Sequence, residues 1–92
     1  MAKFLIEVPH EAETIACAKA IKILFESGSH FITNADFGCL DGVHKSWLVV
    51  EVDGKDEARN LVPAAYRRAA TVVALNRFSD REIDELLKHH NS

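Results

Sequence analysis

Hydrophobic and polar positions change their period several times along the chain. Residues 2–8, AKFLIEV, alternate strictly, as in a half-buried strand, and one side of this strand is formed by Phe4, Ile6 and Val8. After Pro9 the hydrophobic residues recur at helical spacing, and they form one broad side that consists of Ala16, Cys17, Ala20, Ile21, Ile23 and Leu24. The pattern therefore predicts a strand and then a helix that covers a sheet and ends at Gly28.

Two further alternating segments, roughly 30–38 and 44–52, flank the sequence CLDGVH. The dipeptide Asp41-Gly42 is a strong signal for a two-residue hairpin turn of type I′, which would place Cys39 opposite His44. One face of this hairpin is then hydrophobic and carries Phe31, Thr33, Ala35, Phe37, Leu48, Val50 and Val52. The other face is mixed and carries His30, Ile32, Asn34, Asp36, Lys45, Trp47, Val49 and Glu51.

The second half of the chain adds a helical segment, a strand and a last helix. The segment DGKDEARNLVPAAYRRAA predicts a helix that Asp53 caps and Pro63 interrupts, with an inward side formed by Ala58, Leu61 and Val62. Residues 71–78, TVVALNRF, predict the fourth strand. In the segment SDREIDELLKHH, Ser79 and Glu82 have the spacing of a capping box. The stripe expected to be buried there consists of Ile83, Leu86 and Leu87.

The predicted element order is β-α-β-β-α-β followed by a C-terminal helix at 79–90. This order favours an α+β fold, a ferredoxin-like βαββαβ sandwich with two helices on one face of a four-stranded antiparallel sheet. Residues 1–92 contain no linker-like or low-complexity run, so we expect a single domain. A domain this small has a thin core, and self-association would supplement it.

Residues 2–78 resemble the ferredoxin-like dimeric α+β-barrel superfamily in this topology and in the mixed second face of the sheet. The resemblance implies that two sheets pair face to face around a pocket for small, often aromatic or hydrophobic ligands. Members of the superfamily include small monooxygenases, muconolactone-isomerase-like enzymes and stress-response proteins. None of their catalytic residues maps onto this chain, so the resemblance leaves open whether the protein is an enzyme.

The mixed face of the sheet favours a homodimer independently of the resemblance. Its large apolar side chains need a cover, and they are Leu5, Ile32, Trp47 and Val49. A second copy of the same surface would cover them through a two-fold interface, and the C-terminal helix is the alternative cover.

Composition and charge exclude several classes of partner. The 92 residues are 48% hydrophobic and 27% charged, and 11 Lys and Arg against 14 Asp and Glu give a net charge of -3. This balance disfavours a phosphate-neutralising surface, and Trp47 is alone on the face where RNA-binding domains carry several aromatic residues, so no nucleic-acid partner is expected. No stretch approaches the roughly 18 apolar residues of a membrane span. No export signal is recognisable, which predicts a cytoplasmic location and reduced thiols at Cys17 and Cys39.

One candidate site is a metal site at the predicted turn. Cys39 and His44 would lie close across it, and His10 at the end of the first strand could join them if the loops converge. Thiolate and imidazole suit zinc or a similar ion. The alternative is that Cys39 is a small turn residue and His44 a polar residue at a strand end. For a thiolate-imidazole nucleophile at Cys39 and His44, the third, orienting group is not identifiable. Cys17 is expected to pack inertly in the first helix. The sequence leaves the cofactor unknown.

A second candidate site is a ligand pocket on the open sheet face, formed by His30, Asn34, Asp36, Trp47 and Glu51. A histidine and carboxylates in a partly dry cavity can transfer protons, because burial shifts carboxyl pKa values toward neutrality. Alternatively, these residues form the rim of a dimer interface. The leading prediction is a homodimer that binds a small molecule in this pocket, with a metal-binding protein or an interaction module without a site as alternatives.

Overall fold

The described part of the chain combines one sheet with four α-helices. In the computed structural model it comprises residues 1–11, 14–26 and 34–90, which form an α+β fold with a four-stranded antiparallel sheet. The strands are β1 (Ala2–Pro9), β2 (Asp36–Phe37), β3 (Lys45–Val52) and β4 (Thr71–Ala74). The helices are α1 (Thr14–Glu26), α2 (Lys55–Asn60), α3 (Ala64–Arg67) and α4 (Asp80–His90). Among these described helices, none has the length and apolar character needed to cross a membrane.

The strand order in the sheet is β2-β3-β1-β4. Every neighbouring pair is antiparallel, so β1 and β2 run parallel to each other with β3 between them. Likewise β3 and β4 run parallel with β1 between them. Each strand-helix-strand unit is therefore split by a strand of the other unit.

The hydrophobic core lies between one face of this sheet and the helices α1 and α2. The alternating residues of β1 point into it as predicted, since Phe4, Ile6 and Val8 are at most 5% exposed. The same buried cluster includes Leu24 of α1 and Ala58 of α2, so both helices cover the same face. The other members of this cluster are Leu48, Val50, Val62, Ala70 and Val72.

The segment after β3 breaks at Pro63, as predicted, and forms the two short helices α2 and α3. Asp53 does not cap α2: the residue at the N-cap is Gly54, and the backbone N–H of Asp53 instead donates to the carboxylate of Glu57 at 2.9 Å. The guanidinium of Arg67 donates to the carbonyl oxygen of Val62 at 2.9 Å, which satisfies an acceptor at the break.

The hairpin between β2 and β3 has the predicted register but a different turn. Asp36 pairs with Trp47. Three positions further along both strands toward the turn, this register brings Cys39 opposite His44, as predicted. The turn is not of type I′, because a 3₁₀ turn spans Cys39–Asp41 and only Gly42 among the described residues has positive φ, at 80°. The longer loop is closed by Gly38, whose N–H donates to the carbonyl oxygen of Lys45 at 3.0 Å.

The strand predicted at 30–38 is described only in part. Residues 30–33 lie outside the described residues, and with them the predicted positions of His30, Phe31, Ile32 and Thr33. Asn34 has helical conformation, so β2 begins only at Asp36.

The C-terminal helix α4 does not bury its apolar stripe. The capping box is confirmed, because the N–H of Glu82 donates to Ser79 Oγ at 3.2 Å and Ser79 Oγ donates to the Glu82 carboxylate at 3.1 Å. The predicted burial of the stripe is wrong: Ile83, Leu86 and Leu87 are 38%, 51% and 54% exposed. β4 ends at Ala74, so it is four residues shorter than the predicted strand at 71–78. The molecule is elongated and measures 56 × 28 × 23 Å. In this conformation α4 is therefore not the cover of the mixed sheet face.

Candidate metal centre

Four side chains with metal-binding atoms meet at one end of the sheet. They are His10, Cys17, Cys39 and His44, and their ligand atoms all lie within 4.8 Å of one another. His10 follows β1 directly, Cys17 belongs to the first half of α1, Cys39 begins the 3₁₀ turn, and His44 immediately precedes β3. Residues separated by up to 34 positions in the sequence thus form one cluster, which we call the His/Cys cluster.

The alternation of the strands explains why the cluster lies on the core side of the sheet. Two positions beyond the buried Val8 comes His10, and two positions before the buried Ser46 comes His44. Both histidines therefore lie on the core-facing side of their strands, just beyond the last buried residue on that side. The N–H of His10 donates to the carbonyl oxygen of His44 at 3.1 Å, which fixes the two strand ends side by side.

The loop between β2 and β3 directs Cys39 toward the same place. Cys39 lies two positions beyond Phe37, which packs against the core. The 3₁₀ turn is held by the N–H of Gly42, which donates to the carbonyl oxygen of Cys39 at 3.1 Å. Across the loop, the N–H of Val43 donates to the carbonyl oxygen of Gly38 at 2.9 Å. These bonds bring the chain back to His44 at the start of β3. The fourth side chain, Cys17, comes from α1.

Within the cluster, each thiol is in contact with one imidazole. His10 Nε2 lies 2.9 Å from Cys39 Sγ, and His44 Nδ1 lies 3.0 Å from Cys17 Sγ. The thiol of Cys17 also lies 3.6 Å from the carbonyl oxygen of Glu11. The two imidazole rings meet edge to face with centroids 6.1 Å apart.

These distances suit a tetrahedral ion after small side-chain rotations. Bond lengths of about 2.3 Å to sulfur and about 2.0 Å to nitrogen place neighbouring tetrahedral ligands about 3.3–3.8 Å apart. The nitrogen–sulfur contacts of 2.9 and 3.0 Å are shorter than that, whereas the limit for the whole set is 4.8 Å. An ion at the centre would therefore open the two short contacts and draw the more distant pairs together.

Burial favours the neutral imidazole of His10 and the neutral thiol of Cys39 in the metal-free protein. Burial lowers the pKa of His10 below its ordinary value, and the neighbouring His44 acts in the same direction. Burial raises the pKa of the Cys39 thiol, and the contact with Cys17 raises it further. His10 is thus ready to bind an ion without losing a proton, whereas Cys39 would have to release one.

Two buried polar atoms beside the cluster have no hydrogen-bond partner among the described residues. They are His10 Nδ1 and Ser46 Oγ. Buried polar atoms normally have a partner, and a histidine that ligates a metal typically donates its second ring N–H. Among the described residues His10 Nδ1 lacks the acceptor that such a ligand typically has, and Ser46, opposite Val8 in the sheet, provides a second buried polar atom without a partner.

The cluster is accessible from the surface. A pocket of about 250 Å³ opens beside it and is lined by Cys17, Ala18, Ile21, Cys39, Leu40 and His44. His10 is half-buried and is not among the lining residues, whereas Cys17 is the most buried of the four. An ion or a thiol reagent could reach both sulfur atoms from this pocket.

Of the predicted ligand-pocket residues that it describes, the structure places Asp36 and Trp47 side by side on neighbouring strands. Asp36 is exposed and pairs with Trp47, whose indole N–H donates to the carboxylate of Glu7 at 3.0 Å. Glu51 lies four positions further along β3, about 13 Å from Trp47, and Asn34 lies before β2. His30 lies outside the described residues, so the pocket as a whole stays a prediction.

A different groove exists on the mixed face of the sheet, near its other end. It has a volume of about 460 Å³ and is lined by Lys3, Val49, Leu75, Asn76 and Arg77. Of the predicted pocket residues that the structure describes, Asn34, Asp36, Trp47 and Glu51, none belongs to this lining. The groove combines an apolar floor with two cationic side chains.

Sequence reasoning identified three members of the His/Cys cluster and missed Cys17. The hydrophobic pattern correctly placed Cys17 on the buried side of α1, where it is 6% exposed. A buried cysteine in a helix is usually packing, and its distance from Cys39 depends on how the helix docks on the sheet. The available signal was that two cysteines and two histidines all fall on the core-facing side of their elements.

Comparison with known proteins adds no family to this picture. No protein-family model matches the chain, and no curated protein and no solved structure shows significant similarity to it.

Proposed function

We propose that this protein binds one zinc ion, or a similar divalent transition-metal ion, through His10, Cys17, Cys39 and His44. The observation that carries the proposal is the convergence of all four ligand atoms within 4.8 Å of one another. Two thiolates and two imidazoles are a donor set that zinc prefers in tetrahedral structural sites. Four protein ligands complete the coordination of such an ion, which supports a binding or structural role rather than zinc catalysis at an open position.

The position of the cluster supports a role in holding elements together. Its members come from the end of β1, from α1, from the 3₁₀ turn and from the start of β3. An ion there would link α1 to the sheet at one end of a small core. Domains of this size often add a metal or another cross-link to a core that is too thin alone.

Titration of the metal-free chain with Co²⁺ and Zn²⁺ tests the proposal. We expect one Co²⁺ per chain, with the intense visible bands of tetrahedral coordination and a sulfur-to-metal charge-transfer band, and displacement by Zn²⁺. The matched pair of variants is His10→Ala, which removes a ligand, and His89→Ala, which changes an exposed histidine of α4. Spectra without tetrahedral or thiolate bands, or equal binding by both variants, would contradict the proposal.

The finer predictions about fold and assembly remain proposals beside it. We infer that residues 1–92 form a single ferredoxin-like domain, which the split arrangement of the two strand-helix-strand units supports. A cytoplasmic location, a homodimer through the mixed sheet face and a small-molecule ligand there are also proposed. Support for the dimer comes from the exposure of that face, where Val49 and Val73 are 50% and 42% exposed.

A further inference from the structure

Two apolar surfaces of the chain are exposed, one on the sheet and one on its C-terminal segment. We call the mixed face of the sheet the outer face and residues 78–90 the C-terminal arm. We propose that two copies of this chain form a dimer by exchanging their arms, so that the arm of each copy covers the outer face of the other.

The outer face presents an apolar row that crosses three strands. Leu5 of β1 pairs with Val49 of β3 on one side and with Val73 of β4 on the other. Val49 and Val73 are 50% and 42% exposed, and Leu5 is half-buried. At a strand spacing of about 4.8 Å the row is about 10 Å wide, which one helix can cover.

The arm presents an apolar stripe of matching size with acidic edges. Ile83, Leu86 and Leu87 follow helical spacing and share one side of α4. Asp80 and Asp84 flank this stripe along one edge, and Glu82 flanks it along the other. Phe78, just before the helix, is also exposed, at 62%, and it lines a pocket of about 470 Å³ with Leu86 at one edge of the stripe.

The groove at the end of the outer face carries charge opposite to that of the edges of α4, although Glu51 lies opposite Lys3 in the strand register. The 460 Å³ groove on the outer face carries Lys3 and Arg77 above a floor that includes Val49. Neither cation forms a side-chain ion pair with any residue of the described ranges. The acidic edges of an incoming α4 would supply carboxylates next to these cations.

The exposed area agrees with a missing partner. The chain exposes 6749 Å², whereas a compact monomer of 10.2 kDa exposes about 5,300 Å². Removing that surplus from both copies would bury about 2,900 Å² in total, which lies in the range of obligate homodimers.

Packing of α4 on the outer face of its own chain would also cover both surfaces, but in the structure Val49, Val73 and the stripe of α4 stay exposed. Arm exchange covers both surfaces, whereas two other dimers cover only one. Packing of sheet on sheet would cover the outer face and leave the stripe of α4 exposed. Pairing of α4 with α4 would leave the outer face exposed and bring its acidic edges together. A reciprocal exchange is closed by two-fold symmetry and needs no further copies.

Analytical ultracentrifugation of the full chain at micromolar concentration tests the dimer and the role of the arm. We expect a dimer for the natural sequence. Leu86→Glu places a carboxylate in the stripe and should raise the dimer dissociation constant at least about 100-fold. Lys88→Glu is the matched control, because it places the same side chain on the side of α4 away from the stripe and should leave the dimer intact. A monomeric natural chain, or equal effects of the two substitutions, would overturn the proposal.

Mixing two monomeric variants distinguishes exchange from other dimers. Leu86→Glu damages the arm, and Val73→Glu damages the outer face at an exposed position. In a mixture, the intact arm of the Val73→Glu chain can still cover the intact sheet of the Leu86→Glu chain. We expect a heterodimer in the mixture, although each variant alone is monomeric. Absence of the heterodimer would exclude arm exchange, because an arm-exchanged heterodimer keeps one of its two contacts between arm and sheet undamaged.

The outcome is independent of the metal proposal. The arm contributes no member of the His/Cys cluster, so we expect the same dimer with zinc and with a chelator. Loss of zinc binding with an intact dimer would contradict only the metal proposal. A monomer that binds zinc would contradict only the arm exchange.

Discussion

At the scale of single residues, Cys17 decides whether the His/Cys cluster is a four-ligand site. Cys17→Ser keeps a side chain of similar size but replaces the thiolate by a hydroxyl, a poor zinc ligand. We expect the zinc affinity to fall at least about 100-fold, more than typically follows the loss of an outer hydrogen bond to a ligand. Competition with a chromophoric chelator measures this change.

The control for Cys17→Ser is Ala18→Ser, the same new side chain at the exposed neighbouring position of α1. Ala18 lines the pocket beside the cluster but offers no ligand atom, so its zinc affinity should stay unchanged. If Cys17→Ser bound zinc as tightly as the natural chain, a three-ligand site of His10, Cys39 and His44 would replace the proposed one.

The metal-free protein should lose stability on both sides of neutral pH because of the cluster. In the folded chain burial and His44 lower the pKa of His10, so below its ordinary value of about 6.5 the unfolded chain binds the proton more readily. The free energy of unfolding therefore falls as the pH drops below about 6.5. For Cys39 the pKa is raised by burial and by Cys17, so the free energy of unfolding falls as the pH rises above its ordinary value of 9.0.

Chemical denaturation between pH 5 and 7.5 in the presence of a chelator measures the acid side. His10→Gln should have a smaller dependence of the unfolding free energy on pH, because it removes one group whose pKa changes on folding. The control substitution is His89→Gln, at an exposed histidine of α4 outside the His/Cys cluster. Equal slopes for the natural chain and His10→Gln would show that His10 does not contribute.

At the scale of elements, the loop between β2 and β3 positions two of the four proposed ligands. A Cβ atom at Gly38 would lie 2.8 Å from the carbonyl oxygen of Val43 and 2.9 Å from the ring of Trp47. Gly38→Ala must therefore displace the backbone between Cys39 and His44. We expect a loss of about 1–3 kcal/mol in the free energy of unfolding, and weaker zinc binding with it.

Gly54→Ala is the matched control for this loop. A Cβ atom there meets nothing within 4 Å, and its φ of -157° is extended backbone that alanine adopts. Its effect should stay within about 0.5 kcal/mol. Denaturant unfolding and chelator competition on both variants measure the difference, and equal behaviour would contradict a positioning role of the loop.

The period of the sequence predicts the elements better than it predicts what covers them. The faces of β1 and β3 and the register of the hairpin follow from alternation with period two. The predicted type I′ turn was wrong, because the loop contains a 3₁₀ turn at Cys39–Asp41 and is longer than the two-residue turn that Asp41-Gly42 indicates. The stripe of α4 was expected to be buried, since an amphipathic pattern shows that a helix needs a cover but does not identify the covering surface.

At the scale of the whole molecule, the core is small and the proposed ion lies at its end. Ten buried residues form the described core cluster, and α1 contributes only Leu24 to it. Phe25 of α1 also contacts Phe37 of β2 edge to face, and the His/Cys cluster adds a further connection between α1 and the sheet through Cys17. Such a connection between distant segments is invisible in the sequence, because it depends on how separate elements dock.

Zinc should therefore stabilise the folded chain as a unit. Only the folded chain brings the four ligands together, so a free zinc concentration 100 times the dissociation constant adds about 2.7 kcal/mol to the free energy of unfolding. For a domain of this size that corresponds to a rise of about 10–20 °C in the midpoint of thermal unfolding. Calorimetry with zinc and with a chelator measures this shift. Cys17→Ser should show little zinc-dependent shift, because a shift as large as that of the natural chain would mean that zinc binds elsewhere on the folded protein.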